Sequence, residues 1–151
     1  MAFERRVALY VLRDKSGKVL LQHRDKSAPR LPEMWGFFGG YIEGSESPKV
    51  AALREARKEL GLELKSLKFF RRYELPDRHG KYREFFVFVA PLNHDIKRLK
   101  SQQQEGDSLG LFSFADIMTM QFEEQDIVIL RDLFGESEKI GMLEVKKGSK
   151  S

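Results

Sequence analysis

Apolar and β-branched residues run through positions 4–13, stop at Asp14-Lys15-Ser16-Gly17, and resume over 18–23. That pattern predicts two antiparallel strands joined by a hairpin, because Asp and Gly punctuate strands at turns. Positions 24–33 carry two prolines among charged residues and read as a loop. Trp35-Gly36-Phe37-Phe38-Gly39-Gly40-Tyr41-Ile42 reads as a short extended segment broken by glycines, which let other groups approach the backbone closely. A helix follows with both ends marked. Ser47 is a good N-cap, Pro48 suits the first helical position, and Gly61 suits the residue just past the end. Leu53, Ala56 and Leu60 form its apolar stripe. Glu55, Lys58 and Glu59 lie at i, i+3 and i+4 and share another face.

Positions 64–73 and 82–90 read as two more strands, separated by the turn Asp77-Arg78-His79-Gly80. The second, with Phe85, Phe86, Val87, Phe88 and Val89 in a row, reads as buried on both faces. The polar stretch 91–107 reads as a loop and 109–112 as a short strand. Ser113 could cap a turn of helix, with Asp116 three residues on. Positions 125–134 read as a helix with Ile127, Leu130, Leu133 and Phe134 on one face. The order β-β-β-α-β-β-β-α predicts an α+β fold, an α/β/α sandwich with a mixed sheet flanked by helices. The expected domain is 1–135. Positions 136–151, with Lys146, Lys147 and Lys150, are expected to form a loose basic tail, with 142–145 as a candidate edge strand.

Composition narrows the class. The chain has 151 residues, 41% hydrophobic and 33% charged, a soluble globular balance for one domain with a real core. The apolar run 7–12 is far too short to span a membrane, and no signal segment precedes it, so a cytoplasmic protein with no membrane partner is expected. Zero cysteines exclude disulfides and thiolate chemistry. A formal charge of +4 suits an anionic substrate.

Two carboxylates one helical turn apart, Glu55 and Glu59, could hold magnesium, which takes hard oxygen ligands and keeps several waters. The glycines at 39 and 40 leave a backbone carbonyl as a third ligand. A metal there could bridge two phosphates and activate water, and a neighbouring carboxylate could take the proton. Arg24 and Arg30 are the nearest loop cations for the leaving-group charge. A solvated helix face with local ion pairs is the competing reading of the same residues.

The block from Gly40 to Leu62 resembles the signature of the Nudix hydrolases, G-x5-E-x7-R-E-U-x-E-E-x-G-U, with U aliphatic. Gly40, Glu46, Arg54, Glu55, Ala56, Glu59, Gly61 and Leu62 fall on it in register. The resemblance covers roughly positions 4–135 and implies that family's mixed sheet flanked by helices. It implies hydrolysis of a nucleoside diphosphate linked to another moiety, with Mg2+ and, as second choice, Mn2+. It implies that Glu59 is a metal ligand, that Glu55 binds metal or acts as base, and that the Gly39 carbonyl is a further ligand. Glu46 and Arg54 are then a structural ion pair, with Gly40 and Gly61 shaping the motif. Glu105, eight residues before Ser113, matches a late-loop glutamate that many members add as a ligand.

Lys58 departs from the pattern, where a metal-binding glutamate is usual. An ammonium is a donor-only cation. At about 4 Å from a dication its charge would cost several kcal/mol at an effective dielectric near 20, so it must point away or displace a metal. The site then works with fewer metals through Glu55, Glu59 and Glu105, or Lys58 binds a substrate phosphate, or the site binds without turnover. Trp35, Phe37 and Tyr41 could line a base-stacking pocket, with core packing as the alternative, while Phe38 reads as a packing residue.

The leading expectation is a magnesium-dependent nucleotide pyrophosphohydrolase. Its first substrate is a nucleoside triphosphate, oxidised ones included, and the next are a dinucleoside polyphosphate or a nucleotide sugar. The rival is a catalytically impaired nucleotide-binding or regulatory module. Nucleic acid is not an expected partner, since three tail lysines without interleaved aromatics are a weak footprint. A homodimer is common among relatives, but the pattern marks no partner surface.

Overall fold

The computed structural model describes residues 5–24, 34–77, 79–104 and 108–135. Arg30, Glu105 and the tail 136–151 lie outside the described residues, as do the expectations that rest on them. Seven strands form one mixed sheet around β1 (Arg5–Arg13). β1 runs parallel to β6 (Tyr82–Pro91), from Arg5 opposite Arg83 to Arg13 opposite Pro91. It runs antiparallel to β2 (Val19–His23) and to β4 (Phe38–Tyr41), where Val7 faces Tyr41 and Tyr10 faces Phe38. β2 also carries β3 (Trp35–Gly36) and β7 (Ser108–Phe112), and β5 (Lys68–Pro76) closes the far edge against β6.

Because side chains alternate along a strand, the central strands feed two cores. Val7, Leu9 and Val11 of β1, with Phe85 and Val87 of β6, pack on one side against Ile117 and the helix 124–135 through Ile129, Leu130, Leu133 and Phe134. Ala8, Tyr10 and Leu12, with Phe88 and Ala90, pack on the other against α1 (Pro48–Leu60) and α2 (Ile96–Gln102) through Ala52, Ala56, Leu60 and Leu99. This is the α/β/α sandwich the pattern predicts, and β6 is apolar on both faces as its sequence suggests. No helix among the described residues is long and apolar enough to cross a membrane.

Two local expectations are corrected. The strand expected at 64–73 begins later, at Lys68, and runs on to Pro76. The loop expected at 91–107 contains α2. Asp95 caps it by accepting from the Lys97 N–H at 3.1 Å, and Leu99 is its one buried residue. A helix held by one apolar anchor has no stripe for a periodicity argument to find. The short helix α3 (Phe114–Ile117) has the expected cap, with Ser113 and Asp116 bonded reciprocally.

Candidate active site

The site grows from the start of α1. Ser47 accepts from the Val50 N–H at 3.2 Å, and Pro48 opens the helix without needing a donor. Gly61 ends it at φ 66°, its N–H turned back onto the carbonyls of Ala56 and Arg57. Those caps fix where the helix begins and ends, and burial of Ala51, Ala52, Ala56 and Leu60 against the sheet sets its rotation and therefore where its carboxylates point.

Arg54 ties the helix to the strand before it. Its Nε donates to Glu46 at 2.7 Å, and its Nη2 donates to Glu46 at 2.9 Å and to the Tyr41 carbonyl at 3.0 Å. This is a forked charge-assisted pair, the strong form of an ion pair. The fork holds the Glu46 carboxyl down at about 2, and the carboxylates raise the affinity of Arg54 for its proton. The remaining nitrogen, Nη1, donates to Glu55 at 2.7 Å, so one guanidinium orients both the loop and Glu55.

Glu55 is buried and lies flat against Gly40. A Cβ on Gly40 would fall 2.7 Å from its carboxyl, so the backbone there must be bare. At Gly39 (φ 148°) a Cβ would fall 2.2 Å from the Ala8 carbonyl oxygen, so this strand approaches β1 too closely for any side chain. Both glycines, Glu55 and Lys58 line one wall of an open cavity of about 320 Å³. Phe37, Tyr41 and Arg83 also line it, as do Arg24, Glu123 and Asp126. Asp126 is crowded by protein. Burial, then the nearby Glu123 charge, push its carboxyl up to about 7, against the opposing pull of Arg24.

The structure thus brings Gly39, Gly40, Glu55, Lys58, Arg24 and Tyr41 to one cavity. Glu59 does not line it. It is 1% exposed beneath the helix, where Tyr10 donates to its Oε1 at 2.9 Å. Glu55 and Glu59 therefore sit on the buried side of α1 while Lys58 is exposed at the cavity edge, rather than all three sharing one solvated face. Trp35 is also off the cavity, packed edge-on against His23 and Phe112. Phe38 is buried and stacked on Tyr10, as a packing residue should be. Glu105 lies outside the described residues, but Gln104 beside it in sequence donates its backbone N–H to the Glu59 carbonyl at 2.9 Å.

Sequence reasoning missed Arg83, Glu123 and Asp126. Arg83 opens a strand, and the acids sit at or before the first turn of a helix, where carboxylates are ordinary partners of the helix dipole. Nothing local marks the acids as walls of a cavity whose other side, at Gly39, Gly40, Glu55 and Lys58, lies far back along the chain.

A family model for the NUDIX domain matches residues 3–133. The chain belongs to the NUDIX domain family. An 8-oxo-dGTP diphosphatase of Escherichia coli (strain K12) is 31% identical over 75 residues, 48% of this NUDIX chain and 57% of that protein. A CTP pyrophosphohydrolase of the same strain is 42% identical over 50 residues, 33% of this chain and 36% of that protein. The chain thus spans less than two thirds of the length of either relative. In three dimensions it resembles the NUDIX domain of Shewanella oneidensis NrtR complexed with ADP ribose, with a TM-score of 0.69, 18% identity, and 91% of this chain and 90% of that one covered. It also resembles a MutT NUDIX hydrolase from Burkholderia pseudomallei, with a TM-score of 0.66, 22% identity, and 84% and 95% covered. These likenesses are of fold.

The resemblance implies a divalent cation, and the donors can be tested against one. Magnesium needs one or two carboxylates and keeps its own waters. Glu55, pressed into the space a Cβ at Gly40 would fill, offers one such carboxylate at the cavity wall, with the Gly39 backbone beside it. Among the described residues no three Asp, Glu, His or Cys side chains are gathered to hold a metal. This donor set suits a cation that is mostly water-ligated.

Proposed function

We propose that this NUDIX protein is a magnesium-dependent nucleotide pyrophosphohydrolase that cleaves a nucleoside diphosphate linked to another moiety. The observation that carries the reading is Glu55, held by Arg54 and seated on bare backbone at Gly40, in a cavity that also presents Arg24, Lys58 and Arg83. The three cations suit an anionic diphosphate, and the carboxylates Glu43, Glu55, Glu123 and Asp126 on the same lining suit the cation that accompanies it.

In this reading Glu55 and the Gly39 carbonyl would hold the cation from the cavity wall, and Glu105 together with a Glu59 released from its Tyr10 bond would complete the set. Bound magnesium supplies charge neutralisation between phosphates and a more acidic water. As base rather than ligand, Glu55 would take a proton from the attacking water, its carboxyl oriented by the Arg54 Nη1 contact. Arg24 and Arg83 offset charge on the leaving phosphate. Tyr41 gives the cavity a partly exposed aromatic ring for a nucleobase or sugar, above the buried Phe37.

A nucleoside triphosphate, oxidised ones included, is the first substrate, in keeping with the names of the E. coli relatives. Nucleotide sugars and dinucleoside polyphosphates come next, and the ADP ribose complex of the NrtR domain adds that compound to the panel. The test is release of phosphate and pyrophosphate across this panel with and without magnesium, with Glu59→Gln as control. Metal-dependent turnover lost in the variant supports the reading. Lys58 favours one rival, a module that binds nucleotide without hydrolysis. Calorimetric nucleotide binding with no turnover of any substrate would replace the enzyme with that module.

A further inference from the structure

Of the cations that line the cavity, Arg24 acts electrostatically on Asp126, and Lys58 shares the helix of Glu55. Arg54, one turn earlier on the same helix, spends its guanidinium on Glu46, Glu55 and the Tyr41 carbonyl. Arg83 leans on Asp77 at 3.4 Å and on the Tyr41 hydroxyl at 3.5 Å. Among the described residues, no hydrogen bond or ion pair engages Lys58, although it lines the same cavity as Glu55, Gly39 and Gly40. Lys49, equally exposed on the same helix, does not line this cavity.

Chemistry limits what such an ammonium can do. It cannot donate a lone pair to a metal while protonated, and it repels a dication placed next to it. It can donate three hydrogen bonds to anionic oxygens. A phosphate oxygen meets the same electrostatic need from an ammonium as from a metal ion, at a fixed point on a rigid helix.

We propose that Lys58 is an anion-binding residue of this site: its ammonium holds a non-bridging oxygen of the substrate diphosphate where the family pattern has a metal-binding glutamate. The site accordingly holds one divalent cation fewer, and part of its affinity for a diphosphate needs no metal. The inference rests on the proposed diphosphate substrate, but it concerns binding rather than turnover.

Calorimetry with inorganic pyrophosphate on chelator-treated protein tests the first half. Wild type should bind, Lys58→Gln should bind about tenfold more weakly for loss of one charge-assisted contact, and Lys49→Gln should match wild type. Counting bound Mn2+ by electron paramagnetic resonance tests the second half. Lys58→Glu should take up one more Mn2+ than wild type and lose the metal-free pyrophosphate binding. Equal pyrophosphate affinity in wild type and Lys58→Gln overturns the inference, and so does an unchanged Mn2+ count in Lys58→Glu. A protein that turns over no nucleotide but shows these binding changes keeps the inference and loses the enzymatic reading. Brisk turnover with binding indifferent to Lys58 does the reverse.

Discussion

The Tyr10 hydroxyl donates a 2.9 Å hydrogen bond to Glu59 from the strand beneath α1. Both side chains are almost fully buried, so the bond joins the central strand of the sheet to the helix that carries Glu55. A buried carboxylate that loses a donor keeps its desolvation cost. Tyr10→Phe keeps the ring stacked on Phe38 and removes only the hydroxyl. It should destabilise the protein by about 1–3 kcal/mol, read as a lower urea midpoint with an unchanged slope. An unchanged midpoint would mean that the bond contributes nothing net.

Acid should loosen the loop before α1. The Glu46 carboxyl is held at about 2 against an ordinary 4.5, chiefly by its bonds from Arg54. A lowered acid pKa means that the unfolded chain binds the proton more readily, so this stabilisation is present above pH 4.5 and is lost as pH falls toward 2. Glu46→Gln should therefore unfold at a lower temperature than wild type near pH 7, with the gap closing across that acid window. A gap that stays constant with pH would place its effect in packing rather than charge.

Asp126 should act in the opposite sense. Its carboxyl is pushed from 3.8 up to about 7, first by burial and then by Glu123, with Arg24 opposing. The folded protein holds this proton more tightly than the unfolded chain, so stability falls as pH rises from 3.8 to about 7. Asp126→Asn removes the titration. It should be more stable than wild type at pH 8, with the advantage shrinking as pH falls from about 7 toward 3.8. Urea midpoints across that range read it directly, and a pH-independent difference would count against a buried titration.

How much of this was written along the chain varies with the range of the interaction. α1 was legible to the residue, because Ser47, Pro48 and Gly61 act locally on the helix ends. So were the β1–β2 hairpin and the double-sided burial of β6. The parallel pairing of β1 with β6 was not, since no turn chemistry joins strands so far apart. The same limit governs the site. The Arg54–Glu46 fork follows from a spacing of eight residues, whereas Glu123 and Asp126 reach the cavity from a helix on the other face of the sheet. Helical spacing put Glu55 and Glu59 together, but only the fold shows one opening on the cavity and the other turned toward Tyr10.

The bare backbone at Gly40 is the feature most specific to a metal role for Glu55. A methyl there would sit 2.7 Å from the Glu55 carboxyl, and the side chain, rather than the backbone, would have to give way. Gly40→Ala should therefore fold, while displacing the carboxylate from the cavity wall. Mn2+ affinity should fall by about tenfold, the scale of losing one well-placed charged contact. Gly39→Ala should behave differently. Its Cβ would meet the Ala8 carbonyl at 2.2 Å in a left-handed backbone, with nothing free to move, so it should fail to fold or unfold at a much lower temperature. A Gly40→Ala protein that folds and binds Mn2+ as wild type does would mean that Glu55 keeps its place or is not a ligand. Its circular dichroism and Mn2+ titration, measured side by side, separate a displaced carboxylate from a damaged fold.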